Sequence, residues 1–166
     1  MIRKLVALQS VIGAAALAQT APASEQAPAI SSNYKLQCPT GTHQIGGVDS
    51  GLELIACMKD SNDDSRVFQG PMVSLWPSGK VEAVGQVVDG LRSGRWTFYD
   101  QSGLKTGETD FLGGDYHGRR VQYYPGGALK FEENWVQGRR QGVQKSWSAS
   151  GKLAVAEFKD DRPTSK

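Results

Sequence analysis

Residues 94–117 read GRWTFYDQSGLKTGETDFLGGDYH, and the same grammar returns in every block downstream of residue 70. The neighbouring units are GPMVSLWPSGKVEAVGQVVDGLRS (70–93), GRRVQYYPGGALKFEENWVQGRRQ (118–141) and GVQKSWSASGKLAVAEFKDDRPTSK (142–166). Gly70, Gly94, Gly118 and Gly142 share one column, Gly79, Gly103, Gly127 and Gly151 a second, and Gly90, Gly114 and Gly138 a third. A fixed period of this kind is the signature of a repeat architecture. The second column closes PSG, QSG, PGG or ASG between runs that alternate apolar and polar residues. That is a short hairpin loop whose last position needs positive φ, which glycine adopts without steric cost. The third column, in Asp89-Gly90, Gly113-Gly114 and Gln137-Gly138, marks the turn into the next unit. Each unit therefore reads as two antiparallel strands, and the four units as an elongated all-β meander.

Alternation within the strands predicts one covered face and one wet face. On the covered face it places Val73, Leu75, Thr97, Tyr99, Val121, Tyr123, Lys145 and Trp147 from the first strands. From the second strands it adds Val81, Ala83, Val87, Phe111, Leu129, Phe131, Trp135, Leu153 and Val155. Glu82, Glu108, Asp110, Lys130, Glu132 and Asn134 fall opposite. Leu75, Tyr99, Tyr123 and Trp147 form a column suited to cross-strand ladders. The fourth unit is one residue out of register and ends in Lys159-Asp160-Asp161-Arg162-Pro163, whose charges and proline blunt a sheet edge.

Upstream of the repeats the chain changes character. Arg3 and Lys4 precede a mostly apolar run over residues 5–18 that ends in Ala16-Leu17-Ala18, the pattern of a cleavable signal peptide (1–18) and too short to cross a bilayer. Residues 19–33 are Ala, Pro, Ser and Gln with few large apolar groups and read as a disordered linker. Residues 34–69 carry the strand-like LELIAC and both cysteines. Export makes a Cys38–Cys57 disulfide the expected state and the segment a stapled N-terminal cap. Localisation is then periplasmic or secreted. Removing Arg3 and Lys4 from the 19 basic residues leaves 17 against 17 acidic ones, so the mature charge gives no reason to expect a nucleic-acid partner.

The G-x-W-x-x-Y-x-x-x-G pattern, seen as Gly94 to Tyr99 with Gly103 and as Gly118 to Tyr124 with Gly127, resembles MORN-type repeats. More closely it resembles the bacterial YwqK-like antitoxin repeat proteins, and Cys38-Pro39-Thr40-Gly41 followed by Cys57 is similar to their secreted members. The resemblance covers residues 36–160 and implies architecture more than activity. Met72, Val73 and Gln144 depart from the pattern in the first and fourth units.

No catalytic constellation is legible. His43 lies before the repeats and His117 in an inter-unit turn, neither with the neighbours that general-base chemistry or metal ligation requires. Asp60, Asn62 and Asp64 match the first three positions of a calcium loop. The adjacent glycine is missing and Pro71 stands at the twelfth, so a solvated turn is expected. No cofactor is implied. The candidate binding residues are Trp76, Trp96 and Tyr124, together with Phe98, on the nominally wet face, the ladder residues Tyr99, Tyr123 and Trp147, and the turn arginines Arg119, Arg120, Arg139 and Arg140. Arg92 and Arg95 recur near the same turns. These features point to a non-enzymatic scaffold that binds a protein partner. The alternative is a module for cell-wall glycan or anionic lipid head groups, with aromatics on sugars and arginines on anions. The apolar face also offers a route to a homodimer.

Overall fold

The computed structural model describes residues 25–61 and 65–164; the expected signal peptide lies outside them. The described residues are all-β and build one open antiparallel sheet. The cap supplies β1 (Thr42–Gly46) and β2 (Leu54–Lys59). The units supply β3 (Phe68–Leu75) and β4 (Val81–Val88), then β5 (Leu91–Tyr99) and β6 (Lys105–Leu112), then β7 (Asp115–Tyr123) and β8 (Leu129–Val136). Next come β9 (Arg139–Arg140), β10 (Gly142–Trp147), β11 (Leu153–Lys159) and β12 (Arg162–Pro163). Strands follow chain order across the sheet, with β9 a short extension paired to β8. The Cys38–Cys57 disulfide is formed, and Cys57 is fully buried beside the first unit.

Both turn columns adopt the geometry read from the sequence. The hairpin loops end on Gly79, Gly103, Gly127 and Gly151 at φ between +77° and +89°. The inter-unit turns carry two successive positive-φ residues, Asp89-Gly90, Gly113-Gly114 and Gln137-Gly138, as the tight type I′ hairpin demands. Asp160-Asp161 makes the same turn at the fourth position, with φ of 50° and 64°.

The division into one dry and one wet face is overturned by the register. Ser74 pairs with Ala83 but Leu75 with Val81, so Glu82 is an extra residue in β4. Thr106 is the extra residue in β6, between pairs Phe98–Gly107 and Tyr99–Lys105. Lys130 is the extra residue in β8, between Gln122–Phe131 and Tyr123–Leu129. A one-residue bulge moves everything beyond it to the other side of the sheet. Val81, Leu129, Leu153 and Val155 thus share a face with Val73 and Tyr99, whereas Ala83, Val87, Phe111, Phe131 and Trp135 lie opposite. Glu108, Asp110, Glu132 and Asn134 move the other way and join Val121. The fourth hairpin pairs Trp147–Leu153 and Ser146–Ala154 with no extra residue, which accounts for its displaced register.

Two cores result, one on each face. On the first, Ile55, Val73, Leu75, Val81 and Tyr99 are covered by Ala27, Ile30, Tyr34 and Leu36 of the N-terminal segment. Residues 25–33, expected to be a disordered linker, thus form an arm across this face. Ala27 N–H donates to the Gly103 carbonyl, Lys105 N–H donates to Glu25, and Gln26 bridges Leu104. Two apolar side chains and these backbone bonds suffice to hold a segment of modest hydrophobicity. On the second, open face, Ala83, Val87, Trp96 and Phe111 are packed by Phe68, Met72, Phe98 and Tyr116. The core thins toward the C-terminal end, where Leu153 and Val155 of β11 are exposed.

Trp96 is the central piece of the open-face core and is 0% exposed. Its indole lies flat on Gly85, where a Cβ would stand 2.3 Å from a ring carbon, and its N–H donates to the Gln86 carbonyl at 3.0 Å. Gly85→Val should destabilise the fold by about 1–3 kcal/mol through overpacking. In urea titrations, the double variant with Trp96→Met, the residue type at position 72 of the first unit, should lose less than the two single changes summed. Reducing the disulfide, which joins residues 19 apart, should cost about 3 kcal/mol and lower the urea midpoint.

Candidate binding groove on the open face

Among the described residues the open face has no second layer, and its aromatic side chains lie across the sheet. They form a continuous path from Phe98 to Trp96 (6.5 Å between centroids), Phe111 (6.5 Å), Tyr116 (5.3 Å) and Trp135 (5.2 Å). Arginines lid the path. The Arg92 guanidinium stands 4.5 Å over the Trp96 ring and within 6 Å of Phe98 and Phe111. Arg120 stands 4.5 Å over Phe131 and 5.1 Å over Tyr116. Cation–π stacking holds each guanidinium in plane while leaving its N–H edge directed sideways.

Between these walls runs a groove of about 330 Å³, bordered by Trp76, Arg92, Phe98, Phe111, Tyr116 and Arg120 and floored by Gly107, with Glu82, Thr109 and Gln122 also at its surface. Its existence depends on a difference between units. The sheet row through its centre is Ser74, Ala83, Phe98, Gly107, Gln122 and Phe131. Gly107 stands where the third unit has Phe131, and a Cβ there would come 2.5 Å from the Val121 carbonyl oxygen. The missing side chain is the depression.

Polar groups around the groove are unequally satisfied. Arg120 donates to Glu133 at 2.7 Å. Arg92 has no carboxylate partner among the described residues. The Trp76 indole N–H is buried and has no hydrogen-bond acceptor among them, a state that costs about 1–3 kcal/mol when nothing is bound.

The sequence-derived candidates are scattered by the fold. Trp76 borders the groove and Arg120 forms one wall. Trp96 is its buried support and is not available to a ligand. Tyr99 is buried on the arm face, where burial raises its phenol above the ordinary value. Tyr123 and Trp147 are also on the arm face, and the Tyr124 hydroxyl donates to the Trp147 carbonyl. The arginine stripe does not form one surface. Arg119 lies on the arm face and bonds Glu132 at 2.7 Å, while Arg140 bonds Asp161 and stacks on Phe158. Arg139 is exposed in β9. Of the calcium-like triplet, Asp60 is engaged with His43 at 2.6 Å, and Asn62 and Asp64 lie outside the described residues. His117 accepts the Gln137 N–H. Sequence reading names Arg92 and Phe98 without joining them, and misses Tyr116 and Gly107. Aligning the units column by column would have exposed Gly107 as the odd member.

Charge on the arm face is internally balanced. Arg95 donates twice to Asp110, which also accepts the Arg119 backbone N–H. The Arg95 hydrogen bond holds the Asp110 carboxyl below its ordinary range, against a smaller opposing effect of burial. Burial pushes the Lys105 ammonium down, but hydrogen bonds to Glu108 and Glu25 outweigh it and leave its pKa raised.

This is the geometry of an open antiparallel sheet built from repeated hairpins. A family described as MORN repeat variant matches residues 116–137, from Tyr116 on the open face through β8 to the inter-unit turn. No curated protein matches the chain. Among solved structures, a chain of the GtfA/B complex bound to UDP and GlcNAc aligns at 11% identity and a TM-score of 0.24. That alignment covers 74% of this chain, which spans 25% of the other. MORN-type repeats suggest a repeat-based binding or scaffold role, and the disulfide suggests an oxidising, non-cytoplasmic setting.

Because the folded-state pKa of Asp110 is depressed, its contribution is present above the unfolded carboxylate value and is lost as pH falls through the folded one. Asp110→Asn should therefore lower stability at neutral pH and flatten the acid limb of a stability-versus-pH curve, measured by urea unfolding between neutral and strongly acidic pH.

Proposed function

We propose that the chain is a non-enzymatic interaction scaffold of the cell envelope or extracellular space, with a protein as its partner. One observation carries this reading. Among the described residues the open face carries a groove walled by Phe98, Tyr116 and two arginines beside a buried aromatic path, with no second layer over it, and concave sites of this kind receive a partner's side chains. Support for a non-catalytic role comes from the two histidines, which are committed to Asp60 and to the Gln137 backbone away from the groove. The YwqK-like resemblance adds the specific form in which the partner is a toxin that the sheet masks.

A photo-crosslinker placed at Gln122 on the open face should yield adducts of defined mass with envelope or secreted proteins, and one placed at Val155 on the arm face should not. Phe98→Ser, the residue type found at positions 74 and 146, should lower the melting temperature by loss of packing on Trp96 and abolish those adducts at temperatures where circular dichroism shows it still folded. Equal labelling from both faces, or none from Gln122, would overturn the assignment. The second reading, a cell-wall glycan ligand, is favoured by the polar groups interleaved with the aromatics of the groove.

A further inference from the structure

We infer that the groove between Trp76 and Arg120 is a binding site for a carboxylated pyranose, a hexuronic acid within an acidic glycan. The inference deepens the glycan reading and stands apart from the protein-partner reading.

Three features of the site select this chemistry. The first is charge. Arg92 is fixed over Trp96 by stacking, and its guanidinium has no carboxylate among the described residues. Stacking on a ring orients the group without neutralising it, so the free edge remains suited to two-point contact with a ligand carboxylate. Arg120, by contrast, is already neutralised by Glu133 and serves as a wall.

The second feature is surface type. Phe98, Phe111 and Tyr116 offer apolar ring surface, and Thr109 and Gln122 interleave neutral polar groups. The Glu82 carboxylate can accept from sugar hydroxyls while opposing the ligand's anionic end, which directs that end to Arg92. A pyranose has the matching duality, with C–H groups on its faces and hydroxyls around its rim. The Trp76 ring, whose N–H is itself buried, adds apolar surface at the same groove.

The third feature is position on the sheet. The groove lies on a face, where the backbone N–H and C=O groups of β4 to β7 are consumed by interstrand pairing. A peptide could not add itself as a strand there. A sugar carries no such backbone. Its size also suits a depression of about 330 Å³ that exists because Gly107 replaces the Phe131 of the next unit.

The test titrates the ¹⁵N-labelled chain with tetragalacturonate, neutral cellotetraose and tetraglutamate, following amide and Trp side-chain N–H shifts. Tetragalacturonate should perturb the Trp76 indole and the amides of Gly107 and Gln122 in saturable fashion, and cellotetraose should bind at least about tenfold more weakly for want of the charge-assisted bond. Arg92→Gln should weaken tetragalacturonate by about tenfold and cellotetraose by much less, narrowing the preference between them. Arg139→Gln, on an exposed turn outside the groove, should change neither. Gln122→Ala, a groove-surface change outside the aromatic path, supplies a second route if Arg92→Gln perturbs that path, and it should weaken tetragalacturonate with an unchanged melt. Absence of shifts at millimolar tetragalacturonate overturns the proposal. So do shifts outside the groove, retained affinity in Arg92→Gln, or equal binding of tetraglutamate. A negative result here leaves the crosslinking test of a protein partner unaffected.

Discussion

The two-faced layout of this sheet follows from one extra residue in each of the first three repeat hairpins. Glu82, Thr106 and Lys130 are inserted 24 positions apart, each at the same place in the second strand of its unit. A strand of alternating pattern would otherwise put all its apolar groups on one side. The bulge divides them, sending the residue next to the loop to the arm face and the remainder to the open face. A single layer thus has two apolar faces to cover, and the molecule meets that demand in two different ways.

On the arm face the cover is chain. Residues 25–36 lie over Ile55, Val73, Leu75, Val81 and Tyr99, anchored by backbone bonds at Gly103 and Lys105 and by the Lys105–Glu25 ion pair. On the open face the cover is the side chains themselves. Trp96 lies on Gly85, Arg92 lies on Trp96, and the path of rings continues to Trp135. Aromatic rings bury large area without a second layer, and guanidinium planes seal them at little desolvation cost because their edges stay in water. The same arrangement leaves polar edges beside apolar ring faces, which is why the candidate site lies here.

Repetition makes the scaffold, and departures from repetition make the site. The column at 72, 96, 120 and 144 holds Met, Trp, Arg and Gln. The column at 68, 92, 116 and 140 holds Phe, Arg, Tyr and Arg. Where Trp96, Arg92 and Gly107 coincide in the β5–β6 hairpin, with Tyr116 and Arg120 on β7, a groove opens. The fourth unit lacks the bulge, and with it the division of apolar groups between faces, so its strands remain largely exposed.

The sequence by itself determined the period, the hairpins, both turn columns and the disulfide, because each rests on local chemistry. A positive-φ position favours glycine, with Asp89 and Gln137 each tolerated beside one, and the alternation of a strand is visible over five residues. Which face each residue occupies was decided only by the tertiary structure. A bulge is set by pairing with a neighbouring strand, and one unseen extra residue inverts the side of all that follow. Trp96 shows the consequence: its column marked it as an exposed binding residue, whereas Gly85 on the adjacent strand made it the best-buried side chain of the open face. The arm over residues 25–36 was hidden for the same reason. Its few apolar groups gain their hold from a sheet that the segment's own composition does not reveal.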